Sequence, residues 1–144
     1  AASDPQSRLS RAGCGMICLL TAAGVISLAA GDFTLSWQHS TAHTLWTETW
    51  EAKEGFLRPV RARIEGPGAG MEAPEGAWRE ESTWVWHPQV PPMREVHLAA
   101  SGATGGGWRL CADGNCHEVG AESGAALRLS ATEGALPCPI SPDQ

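Results

Sequence analysis

The sequence predicts an all-β domain, a small β-sandwich or partly open barrel of about seven short strands, preceded by an N-terminal export signal or membrane-anchor helix. Three observations predict it. Apolar and polar residues alternate over short stretches from residue 32 onward, the period of a strand with two distinct faces. Glycine and proline, 17 and 10 of 144 residues, break those stretches into turns. The one long apolar run lies near the N-terminus, and no amphipathic helical pattern follows it. A chain of this length is expected to hold one core, with 7 Trp and no Tyr supplying much of its bulk.

Residues 1–31 are expected to act as a signal peptide or membrane anchor. Arg8 and Arg11 precede the apolar run from Met16 to Ala30, and Ser27-Leu28-Ala29 offers small residues where a signal peptidase reads. The stretch from Gly13 to Ala30 comes close to the ~17–20 residues that cross a bilayer, so cleavage and retention both fit. If the segment is retained, its arginines keep the N-terminus inside and the domain outside. Neither Cys14 nor Cys18 follows a lipobox-like run. The expected location is the periplasm or the outer face of a bacterial inner membrane.

Residues 32–132 are expected to form the all-β domain. Phe33, Leu35 and Trp37 alternate with Thr34, Ser36 and Gln38, and Trp46, Glu48 and Trp50 with Leu45, Thr47 and Thr49. A third strand places Phe56, Arg58, Val60, Ala62 and Ile64 on one face and Leu57, Pro59, Arg61 and Arg63 on the other. Pro59 donates no ladder hydrogen bond, which predicts an edge or a bulge there. Residues 65–76 form a glycine-rich loop, and Trp84-Val85-Trp86 resumes strand character. His87 to Met93 is too proline-dense for a ladder and reads as an extended crossing. Val96 and Leu98, the stretch from Trp108 to Cys111, and Leu127 and Leu129 supply further strands. Asp113-Gly114 signals a hairpin, and residues 133–144 read as an irregular tail.

The formal charge of −6 argues against nucleic-acid binding and against electrostatic capture by anionic lipid. Cys111 and Cys116 flank the Asp113-Gly114 turn, so paired strands bring them opposite one another for a disulfide. Cys138 has no evident role. No second cysteine pair completes a zinc site beside His117, and no cofactor motif is present. His39, His43 and Glu48 are candidates for a ligand or acid–base set around the first hairpin. Ser40 beside His39 is a poor nucleophile pair, because neighbours on a strand point to opposite faces. Arg58, Arg61 and Arg63 with Gly68 and Gly70 form a candidate anion site of guanidinium forks and backbone N–H groups. Trp84 and Trp86 on one face are the candidate stacking shelf.

Four blocks then acquire a common meaning. The stretches Phe33 to Ser40, Trp46 to Trp50, Gly66 to Met71 and Leu110 to Cys116 resemble, in that order, the successive blocks of the bacterial domain of unknown function 1850 family. The resemblance covers roughly residues 32–119. The family commonly carries an apolar residue, an acid and a base after the His-Ser pair, where Thr41-Ala42-His43 stands here. The resemblance implies a small exported or membrane-anchored protein, often encoded beside TAXI-type tripartite solute transporters, and it implies no catalytic residues.

The functional expectation is an accessory or assembly protein of such a transport system, partnered with a membrane component or its solute-binding protein, and not an enzyme. A periplasmic small-anion binder is the second reading, and a metal-dependent or Ser/His hydrolase the third.

Overall fold

Alternating strands carry the chain, and they begin earlier than the sequence predicts. The structure, a computed structural model, describes residues 16–39, 43–100, 107–121, 124–132 and 138. Among these, the elements in order are β1 (Met16–Thr21), β2 (Gly24–Leu28), β3 (Asp32–His39), β4 (Thr44–Lys53), β5 (Phe56–Glu65), the helical turn α1 (Ala69–Glu72), β6 (Trp78–Glu80), β7 (Thr83–Trp86), β8 (Glu95–Ala100), β9 (Trp108–Ala112), β10 (Asn115–Val119) and β11 (Gly124–Thr132). They build two antiparallel sheets, one of seven strands in the order β10-β9-β3-β4-β5-β7-β6 and one of four in the order β2-β1-β11-β8. The all-β sandwich is therefore the fold, with eleven strands among the described residues where about seven are expected.

The predicted N-terminal helix is corrected. Residues 16–28 are a β-hairpin whose first strand pairs with β2 on one side and with β11 on the other. Over β1 the apolar run carries no polar alternation because that strand is buried on both faces. Ile17 and Leu19 are fully buried in the core, while Cys18, pointing the other way, is 3% exposed and disulfide-bonded to Cys138. Period alone does not separate such a strand from a buried helix. The β domain thus starts by Met16 and not at residue 32. Among the described residues no helix is long and apolar enough to cross a membrane. Arg8, Arg11, Cys14, Ser40 and the tail apart from Cys138 lie outside the described residues.

Between the sheets lies one cluster of apolar side chains. Ile17, Leu19, Leu28, Leu98, Leu127 and Leu129 from the small sheet meet Phe33, Leu35, Trp50, Ala52, Leu57, Leu110 and Ala112 from the large one. Burying each large side chain contributes about 1.5–3 kcal/mol. On β5 a bulge lies where Thr49 pairs with Arg61 and the next residue, Trp50, pairs with Pro59, leaving Val60 as the extra residue. Pro59 therefore marks a bulge in an interior strand, not an edge. The bulge also corrects the predicted faces. Leu57, Pro59, Ala62 and Ile64 point inward, and Arg58, Arg61 and Arg63 share the outer face. Residues 87–92 make no strand, as their prolines predict, and Met93 forms an isolated bridge to Leu57.

Candidate functional site

The four-stranded sheet covers one part of the inner face of the seven-stranded sheet, and a row of indoles occupies another. Trp37 stacks on Trp46 with ring centroids 5.6 Å apart, and Trp108 lies against Trp37 at 4.9 Å. Trp86 meets Trp46 edge-on at 5.9 Å. The row follows from strand register, because Trp37 pairs with Trp46, Trp46 with Ile64, and Ile64 with Trp84, one step along the strand from Trp86. Residues paired across strands share a face, and residues two apart on a strand return to it. Each of the four rings is half-buried. The Trp46 indole N–H is buried without a hydrogen-bond partner among the described residues.

Glu48 stands on this same face, paired with Leu35 on one side and Ala62 on the other. Trp50 donates its indole N–H to Glu48 Oε1 at 3.1 Å. Burial pushes the Glu48 carboxyl above the ordinary carboxylate range, and the Trp50 hydrogen bond offsets part of that rise. The predicted gathering of Glu48 with His39 and His43 does not occur. His39 pairs with Thr44 at the far end of the hairpin, and His43 sits exposed in the turn with φ 57°. Both histidines lie at this turn end, four or more residues along the strands from Glu48, at least about 13 Å. No group of three potential metal ligands occurs among the described residues.

The predicted anion site is likewise divided. Arg58 pairs with Glu51 at 2.7 Å, and Arg61 with Glu80 at 3.3 Å. Arg63 lies exposed on the same outer face, opposite Thr47 and Val85. Gly68 and Gly70 instead line an open cavity of about 650 Å³ with His43, Leu45, Glu65, Arg79, Ser82 and Trp84 among its walls. Arg58 lines a different cavity of about 420 Å³ against the proline-rich crossing.

Two glycines shape the first cavity. A Cβ on Gly66 would stand 2.8 Å from the His43 carbonyl oxygen, and one on Gly70 would stand 3.0 Å from the Trp84 indole nitrogen. The glycine turn therefore packs on one edge of the Trp84 indole, and the half-buried remainder of that ring lines the cavity instead of forming a shelf with Trp86. The sequence gives no sign of Arg79 at this cavity. It lies on β6, a strand of three residues that is too short to show alternation.

The hairpin disulfide is present. Cys111 and Cys116 are register partners bonded across the β9–β10 turn, with Cα atoms 4.0 Å apart. A second bond joins Cys18 to Cys138 over 120 residues, a pairing that reading Cys18 as part of an export segment hides.

These features define an all-β sandwich whose larger sheet carries an aromatic row, a glycine-turn cavity and a cross-linked hairpin. A family model described as a domain of unknown function (DUF1850) matches residues 33–119, and the chain belongs to that family. The match runs through every strand of the seven-stranded sheet and β8, while β1, β2 and β11 lie outside it. No curated protein and no solved structure matches the chain.

Proposed function

We propose that the protein is an extracytoplasmic accessory domain of a membrane solute-transport system, of the TAXI tripartite kind, and that it acts by binding a transporter component without catalysing a reaction. The observation that carries this reading is the row of half-buried rings that starts against the sandwich core at Trp108 and continues through Trp37, Trp46 and Trp86. Tryptophan supplies large, rigid, amphipathic contact area, and such residues dominate binding energy at interfaces. Two disulfides support an oxidising compartment. Export, on this reading, leaves residues 16–28 in place, since they form two strands and hold Cys18.

The test is uptake by the associated transporter in a strain lacking this chain, complemented with wild type or with Trp37→Ala plus Trp86→Ala. The deletion is expected to lower uptake, and the double variant to fail in complementation while still melting cooperatively, at a lowered temperature. The transporter's membrane component or solute-binding protein is expected to co-purify with wild type from native membrane and not with the variant. Normal uptake in the deletion strain, with no transporter component recovered, would defeat the proposal.

A further inference from the structure

We propose that the cavity beneath the glycine turn binds a small monocarboxylate with an apolar body. None of the four rings of the tryptophan row lines this cavity, and the inference does not depend on the transport reading. Its volume, about 650 Å³, lies within the roughly 300–1,000 Å³ usual for small-molecule sites. Arg79 and Trp84 are direct register partners on β6 and β7, so their side chains leave the sheet on the same face, and both line the cavity.

Arg79 is also pre-oriented. Its Nε–H donates to the Glu81 carbonyl at 2.8 Å, and its terminal nitrogens make no hydrogen bond or ion pair with a described residue. A guanidinium held in this way presents a planar fork that matches a carboxylate. Arg58 and Arg61 lack that freedom, because Glu51 and Glu80 already occupy them.

The other walls narrow the ligand class. Trp84 and Leu45, the latter 38% exposed, supply apolar surface for the ligand body. His43 and Ser82 complete the polar lining. Glu65 lines the cavity as well and balances the formal charge of Arg79. A phosphate or a dicarboxylate would therefore meet no net positive field, whereas one carboxylate is served by the Arg79 fork. Gly66 brings the turn against the His43 carbonyl, 2.8 Å from where its Cβ would stand, and Gly70 brings it against the Trp84 indole.

The experiment uses the whole chain with both disulfides intact, titrated with 3-phenylpropanoate and with 4-methylpentanoate, and read by calorimetry and indole NMR. At least one of the two is expected to bind saturably and to move the Trp84 indole N–H resonance, assigned by its loss in Trp84→Phe, more than the other tryptophan signals. Succinate and inorganic phosphate are expected to bind more weakly. Arg79→Gln should lower affinity roughly tenfold or more, the loss of a charged hydrogen bond, while Arg58→Gln changes it by less than about twofold. Absence of saturable binding by both monocarboxylates, a ligand-insensitive Trp84 signal, undiminished affinity in a folded Arg79→Gln variant, or tighter binding of phosphate would each overturn the proposal. The Trp84 resonance decides the matter even if Arg79→Gln does not fold.

Discussion

Glu48 is a carboxylate set between Leu35 and Ala62 on the inner face of the large sheet, and its titration reports that environment. Burial raises its pKa in the folded protein, against the partly compensating N–H of Trp50. Between the unfolded and the folded pKa the native state therefore holds more protons than the unfolded chain. Stability falls as pH rises through that window and levels off above it. Glu48→Gln keeps an oxygen acceptor for Trp50 and removes the charge. The variant is expected to melt with wild type below about pH 4 and to become progressively the more stable of the two as pH is raised towards 7. A wild type that gained on the variant over that range would contradict the assignment. The arginines behave differently. Arg58 and Arg61 pair with acids on an exposed face, where such contacts are worth about 0.2–1 kcal/mol, so they act as ordinary surface pairs.

At the scale of elements, the decisive piece is the hairpin of β1 and β2. Leu19 is fully buried and paired with Leu129 and Ile26. Leu19→Ala is expected to cost about 2–5 kcal/mol, read as a fall in the urea midpoint. A membrane anchor outside the folded domain would leave that midpoint unchanged, so the measurement separates the two roles of one segment. The sequence made β3, β4, β5 and β7 legible because each has a core face and a second, more polar or open face, and alternation records that asymmetry. It concealed β1, where Ile17, Cys18 and Leu19 are all buried and the pattern collapses into an apolar run. It also concealed the phase change on β5, since the bulge at Val60 moves Arg61 and Arg63 onto the face of Arg58 without altering composition. At the candidate sites, the glycine turn could be read from its residues. Its neighbour Arg79 could not, because the closeness of β6 to that turn is set by pairing across the sheet and not by spacing along the chain.

The whole molecule joins a family-matched large sheet to a small sheet built mostly from its flanks. The Cys18–Cys138 bond ties those flanks together over 120 residues, a loop for which the chain-entropy model gives about 5 kcal/mol, against about 2 kcal/mol for the short Cys111–Cys116 loop. Replacing Cys18 and Cys138 by Ser is therefore expected to lower stability in denaturant melts by more than the same change at Cys111 and Cys116. The stronger test removes the flanks. Outside residues 33–119 lie Ile17, Leu19, Leu28, Leu127 and Leu129, none more than 9% exposed, and they form much of the surface facing Phe33, Leu35, Trp50 and Leu110. At about 1.5–3 kcal/mol for each buried side chain their loss amounts to roughly 8–15 kcal/mol, comparable with the entire stability of a typical domain, about 5–15 kcal/mol. Only β8 of the small sheet would remain, a strand with no partner of its own. The segment 33–119 produced alone, with its Cys111–Cys116 bond oxidised, is thus expected to lack a cooperative urea transition and dispersed amide resonances, whereas the full chain shows both. A sharp, reversible transition in the isolated segment would mean that the seven-stranded sheet closes on itself, and that the flanking hairpin and β11 do not complete its core.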